Sequence, residues 1–247
     1  MRPKPERLLV YYLFHSGFAV VTDSHVLMFD YYRDSPSEGG ITLNDVLAEV
    51  GNRHVVVFVS HSHHDHFTPE IWQWRHRCAK ISYVTSADVE VPQELSAVNE
   101  VVIVDANSTY HVDSLRVSTY ASTDEGVAFL VEVDGYRIYH AGDLNWWHWE
   151  GEPEADNLAM AEKYRQQVDM LPKDVDIAFV VVDPRLEHAY RLGLTYFMSR
   201  VQARLIFPMH FGEDYTIFPR LQRDLSAEQL SHIAEITPSP LPFFLVG

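Results

Sequence analysis

Cysteine is nearly absent from this chain: Cys78 is the only one among 247 residues. No intrachain disulfide can form and no thiolate cluster can hold a metal, so any metal site must be built from imidazole and carboxylate. Cys78 itself reads as a small apolar residue at a helix end. Basic residues are scarce too, 19 Lys and Arg against 35 Asp and Glu, for a formal net charge of −16. Such a surface repels polyanionic nucleic acid unless basic residues gather locally. The basic groupings that exist, Arg75, Arg77 and Lys80 and then Arg220 and Arg223, are short and read as solvated helix faces. Nucleic acid is therefore disfavoured as a partner and a small-molecule substrate is expected; a homo-oligomer is left open. No apolar run approaches the roughly 20 residues of a membrane helix. Residues 1–7 are charged and proline-containing, unlike the ordered regions of a secretory signal. A cytoplasmic protein without membrane contact is the expectation.

What the chain does have is apolar residues, 47% of the total. That suffices for a full core, and layered folds of this size often form one domain. Alternation and short apolar runs predict strands over 8–13, 19–22 and 25–30, then a helix from the N-cap Thr42 to Gly51. Residues 55–60 form a continuous apolar run, as in a strand buried on both faces. Thr68-Pro69 predicts a helix to about Arg77, followed by strands at 81–85 and 101–104. The middle reads as antiparallel sheet, 114–122 and then 127–133 paired with 136–140 across the turn Asp134-Gly135. Helices are predicted over 153–171 and 187–202, strands over 176–182 and 205–208. Ser226 with Gln229 makes a capping box for a last helix, before the proline-rich 238–242 and a final apolar stretch. This order suggests an α/β chain with sheet packed on sheet and helices outside. No repeat or linker divides it, so one domain over 1–247 is expected.

The chemistry concentrates in His61-Ser62-His63-His64-Asp65-His66, four histidines in six residues between a buried strand and a helix. A loop leaving a strand end is a common place for a site on a rigid scaffold. His61 and His63 are two apart and point the same way in extended backbone, while Asp65 and His66 turn toward another point. The spacing can hold one or two metal ions, and imidazole with carboxylate suits Zn2+, with Mn2+ or Fe2+ as alternatives. Two further strands end on polar residues. One runs into Ala141-Gly142-Asp143, whose carboxylate could bridge two metals; the other runs into Met209-His210, which could complete the second.

Together His61-x-His63-x-Asp65-His66, His140-Ala141-Gly142-Asp143 and Pro208-Met209-His210 resemble the metallo-β-lactamase superfamily. The last two forms are most similar to its lactonase-like branch, which includes ascorbate-6-phosphate lactonase. The resemblance implies a four-layer αββα sandwich and a metal-dependent hydrolase. It implies His61 and His63 on one metal, Asp65, His66 and His210 on the other, and Asp143 between. One departure stands out: the family supplies a further histidine to the first metal, and the corresponding stretch 121–126 contains none. Asp124 could take that place as an oxygen ligand, or it is a turn residue before Gly126.

The chemistry then follows. A bound dication lowers the pKa of water from about 15.7 to about 7, and the resulting metal-bound hydroxide attacks a small ester or lactone, or phosphorus in a phosphodiesterase or nuclease. Asp65 and Asp143 would orient the nucleophile, Asp65 as a catalytic residue. A catalytically impaired metal-binding protein is the reading from another class, and oxidative chemistry with iron is a minor one. In Asn145-Trp146-Trp147-His148-Trp149, Trp146 and Trp149 are candidates to stack on substrate, and His148 to protonate a leaving group. His15, at the turn after Phe14, is a further substrate-contact candidate. Trp72 and Trp74, two apart on a predicted helix, are not promoted.

Overall fold

The computed structural model of the protein describes residues 7–96, 100–239 and 242–246. The first half runs β1 (Arg7–Phe14), β2 (Gly17–Val21), β3 (His25–Phe29), α1 (Leu43–Ala48), β4 (His54–Val59), β5 (Ile81–Ser86), α2 (Gln93–Ser96) and β6 (Val101–Val104). A 3-10 helix, Pro69–His76, stands between β4 and β5. The second half runs β7 (Thr109–Val112), β8 (Leu115–Ala121), β9 (Val127–Val133), β10 (Tyr136–His140), α3 (Glu154–Asp169), β11 (Asp174–Val181), α4 (Leu192–Arg200), β12 (Gln202–Met209), α5 (Ile217–Asp224), α6 (Ala227–Leu230) and β13 (Phe243–Val246). One sheet has the order β13-β1-β2-β3-β4-β5-β6, the other β12-β11-β10-β9-β8-β7.

Each sheet is antiparallel at one side and parallel at the other. β3, β4, β5 and β6 are parallel neighbours, as are β10, β11 and β12. Strands buried on both faces explain the continuous apolar runs. In β4, Val56 and Phe58 face the space between the sheets, where Phe58 meets Phe129 of β9 at 5.3 Å. Val55, Val57 and Val59 face outward and are covered by Leu43, Val46, Ile71, Trp72 and Trp74. On the other side α4 packs on β11 and β12, with α3 against α4. The result is the expected four-layer αββα sandwich.

The chain departs from the sequence reading in local ways. The segment predicted as a helix to about Arg77 is 3-10, and the Thr68 side chain makes no capping bond. Trp72 and Trp74 are both buried there, which a shared-face argument for an α-helix does not foresee. The predicted helix over 187–202 is broken: Glu187 has φ 52° inside a 3-10 turn, and α4 begins only at Leu192. β7 and α2 have no predicted counterpart, α5 is foreseen only as the helix face carrying Arg220 and Arg223, and the final apolar stretch is β13, paired antiparallel with β1. Of the proline-rich 238–242, residues 240 and 241 lie outside the described residues. The Asp134-Gly135 turn is present, with φ 49° and 82° as a type I′ hairpin requires. Among the described residues no helix is long and apolar enough to cross a membrane.

Candidate metal centre

Five strand ends converge on one cleft. Asp30 follows β3, His61 follows β4, Asp143 lies just beyond β10, Asp183 just beyond β11 and His210 follows β12. Because those strands run parallel within their sheets, their carboxyl ends share one rim, where open α/β sheets carry their ligand crevices. Two glycines let the loops close on each other. Gly126 (φ 67°) and Gly142 (φ 51°) sit against Ser60, and a Cβ on either would collide with it. His210 takes φ 67° itself, a conformation costly for histidine and held here by its neighbours.

At the bottom lies the Asp143 carboxylate, 4% exposed. Its Oδ1 is 3.2 Å from His66 Nε2 and 3.3 Å from His210 Nε2; its Oδ2 is 3.5 Å from His61 Nε2. The opposite nitrogen of each ring is accounted for. His66 Nδ1–H donates to Asp30 Oδ2 at 2.8 Å, and His210 Nδ1–H donates to Asp183 Oδ2 at 3.0 Å. Ser60 Oγ donates its one proton to Asp30 Oδ2 at 2.6 Å, so it accepts from His61 Nδ1–H at 2.9 Å. In the neutral rings all three Nε2 atoms therefore present lone pairs toward a carboxylate. That arrangement repels itself unless a cation lies between. His66 Nε2 and Asp143 Oδ1, though 3.2 Å apart, are buried and have no aligned hydrogen-bond partner. The donor set thus fits a dication, with carboxylates fixing the tautomers from behind as metal-binding histidines require.

The electrostatics tell the same story. Burial works against a charged His66, but Asp143 and Asp30 outweigh it and raise its pKa to about 10. His210 behaves likewise between Asp143 and Asp183, raised to about 9. Burial, with His66 beside it, lowers His61 to about 4. Burial also penalises the Asp143 carboxylate, yet His66 and His210 hold it well below the usual range. Without metal, protons on His66 and His210 supply the missing positive charge.

The shallow side is built differently. His63 is exposed, with Nδ1 3.1 Å from His61 Nε2. Asp124, also exposed, is brought within reach: donor atoms of His63, Asp124 and Asp143 lie within 4.8 Å of one another. Its loop is tied to the Asp143 loop by Thr123 Oγ1, which donates to Asn145 O at 2.7 Å. Asp65 joins His66 and His210 in a second such group that includes His15. His15 Nδ1 accepts from Gly212 N–H at 3.2 Å, so its Nε2 carries the proton and faces Asp65 Oδ2 at 3.5 Å. His15 thus turns a proton rather than a lone pair toward Asp65, without an aligned hydrogen bond, and it holds the Asp65 carboxyl below its ordinary pKa. His64 points outward, almost fully exposed.

The cleft above has a volume of about 500 Å³ and is lined by Asp65, Asp124, Trp147, Trp149, Arg185 and His210 among others. Of the aromatic loop, Trp149 reaches it and Trp146 does not. The Trp146 ring packs on Tyr196, with the Arg165 guanidinium 4.3 Å above it. Trp147 takes its place, 5.6 Å from the His210 ring, with Nε1–H donating to Asp143 O at 3.1 Å. His148 lies beside His188, their rings 6.1 Å apart, and does not line the cleft. A larger depression, about 700 Å³, opens at the other end of β11 and β12, around Asp174 and His232, and holds none of these residues.

Three contributors lie outside the sequence candidates, Asp30, Asp183 and Arg185, and Trp147 belongs to the aromatic loop without being one of its two stacking candidates. Asp30 and Asp183 had a faint signal, an aspartate closing a buried apolar strand. His140, part of the sequence motif, turns away from the cleft; its Nε2–H donates to Ser16 O at 2.9 Å and its Nδ1 accepts from Gly142 N–H.

A family model described as a β-lactamase superfamily domain matches residues 9–155, a span that includes His15, the histidine run, Asp124 and Asp143. Three solved structures share the fold. A metallo hydrolase from the archaeon Ignicoccus hospitalis is 16% identical, with 97% of this chain and 98% of that one covered and a TM-score of 0.67. The metallo-β-lactamase fold protein YhfI from Bacillus subtilis is 12% identical over 97% and 99%, with a TM-score of 0.60. CmlA, a diiron β-hydroxylase from Streptomyces venezuelae, is 13% identical over 99% of this chain and 55% of its own, also at 0.60.

Proposed function

We propose that this chain, which belongs to the metallo-β-lactamase superfamily, is a metal-dependent hydrolase of a small ester, with a lactone as the first choice. The observation that carries the reading is the convergence of three imidazole lone pairs on the Asp143 carboxylate at 3.2, 3.5 and 3.3 Å. His61, His63, Asp124 and Asp143 would hold one dication, and Asp65, His66, His210 and Asp143 the other, with zinc the ion this donor set suits best. When bound, the ions supply an activated water and polarise the scissile carbonyl.

The chain's own residues do the rest. Asp65, oriented by His15, offers a carboxylate at the mouth of the cleft where an attacking water can be held. Trp147 and Trp149 stack with rings 6.1 Å apart and form an apolar wall that limits water on that side. Arg185 stands on the rim, its guanidinium on Asp183 and its side chain 63% exposed, where it can hold an anionic substituent of the substrate. A volume near 500 Å³ suits a small molecule, and the acidic surface disfavours a polyanion. Residues 1–247 act as one unit, since the centre draws on both sheets.

A second reading, phosphodiester hydrolysis, is favoured by Arg185 alone, because a guanidinium takes phosphate as readily as carboxylate. The two separate in a screen of zinc-, manganese- and iron-loaded protein against small lactones, linear esters and phosphodiesters. Turnover of lactones or esters is the expected result. Turnover confined to phosphodiesters, or none with full metal occupancy, overturns the ester reading.

A further inference from the structure

At the opposite end of the same strands stands a second group of imidazoles that the cleft does not use. His25 opens β3, roughly 16 Å along the strand from Asp30, and His54 opens β4, seven residues before His61. Their rings stack at 5.7 Å and 23°, and Asp113, from the turn between β7 and β8, reaches across from the other sheet. His25 Nε2 lies 3.3 Å from Asp113 Oδ2 and His54 Nδ1 lies 3.4 Å from the same oxygen.

The backing of each ring decides what those nitrogens present. Ser24 Oγ donates its single proton to the Asp134 carboxylate, 2.7 Å from Oδ2, and so must accept from His25 Nδ1–H at 2.7 Å. In neutral His25 the proton is therefore on Nδ1, and Nε2 aims a lone pair at Asp113. On His54 the outer nitrogen, Nε2, has Ser82 Oγ as partner at 3.0 Å, which leaves Nδ1 facing the carboxylate. A relay from carboxylate through hydroxyl to imidazole is the kind of support that fixes metal-binding histidines. His25 is only 2% exposed, while Asp113 is 53% exposed and leaves an entry path and a place for water. The spacing also fits: zinc at about 2.0–2.1 Å from nitrogen and oxygen, in tetrahedral array, sets its ligands about 3.3–3.4 Å apart.

We propose that His25, His54 and Asp113 form a separate binding site for a divalent transition cation of the zinc class, completed by water. Because two of its donors come from one sheet and one from the other, the ion clips the sheets together at the end remote from the cleft. The site is independent of what the cleft does.

The test is zinc content and thermal midpoint in the full chain. Wild type is expected to carry one more equivalent of zinc than His54→Gln, a change that keeps the contact to Ser82 and leaves the cleft untouched. In an Asp143→Asn background, where neither cleft position should hold metal, one equivalent should remain, and its addition should raise the thermal midpoint. His54→Gln in that background should abolish both. Equal zinc in wild type and His54→Gln, with no zinc-dependent shift, overturns the proposal, and the cluster is then an imidazolium–carboxylate pair closed by a proton. If the Asp143→Asn variant does not fold, the wild-type and His54→Gln comparison decides alone.

Discussion

In the deep half of the cleft, His66 and His210 are buried and backed by Asp30 and Asp183; in the shallow half, His63 and Asp124 project from exposed loop positions. The two halves share Asp143 and differ in how much of their geometry is set before a metal arrives. Asp30 is the clearest case. One fully buried carboxylate accepts directly from His66 Nδ1–H and reaches His61 through Ser60, so it fixes two rings at once. Behind His63 and Asp124 no comparable carboxylate stands among the described residues. The deep position is therefore preorganised and should fill first, and the shallow one should bind more weakly and exchange faster.

The largest effect should come from the residue the halves share. Asp143→Asn is expected to remove both metals from the cleft and all hydrolysis, read by metal analysis and turnover; retention of wild-type occupancy would dissolve the comparison.

Next comes pH. On the proposed assignment metal binds only after His66 and His210 lose their protons, and both sit above neutrality, at about 10 and about 9. Each raised pKa makes the proton a competitor throughout the neutral range, so deep-site affinity should climb with pH by about a hundredfold per unit, two protons per ion. His61, lowered to about 4, adds nothing to that slope. A flat affinity profile in buffered titrations would contradict protonated His66 and His210 as the metal-free state.

Asp30→Asn is expected to weaken deep-site binding by about 10–100-fold. An amide there can offer its NH2 to His66 Nδ1, which inverts the ring tautomer and turns Nε2 from a lone pair into a donor. The decisive readout is calorimetric affinity alongside an unchanged circular dichroism spectrum. Asp124→Ala should be the mildest, about tenfold or less on the shallow position alone, with the deep metal retained.

How much of this was legible beforehand follows from where the partners lie. The run from His61 to His66 announces itself because its donors are adjacent, and Asp143 and His210 because each follows a strand and a turn. Asp30 and Asp183 act on histidines 36 and 27 residues away, so no local pattern marks them apart from a strand-closing aspartate. The aromatic loop shows the same limit: Trp146, Trp147 and Trp149 are alike in sequence, and only packing against Tyr196 or His210 sorts them. For the fold, buried strands such as β4 were plain from their apolar runs. β7 was not, because only Val112 among its four residues is buried. The break at Glu187 depends on a positive φ that glutamate seldom adopts, and nothing in its neighbours foretells it.

The shared carboxylate is tested most directly by titrating cobalt into His54→Gln protein, which lacks the remote cluster, while recording its electron paramagnetic resonance. Two equivalents should bind in sequence, and the signal of the first should diminish as the second couples to it through Asp143. Two equivalents whose signals simply add, or a titration unchanged by Asp143→Asn, would contradict a carboxylate held between two ions.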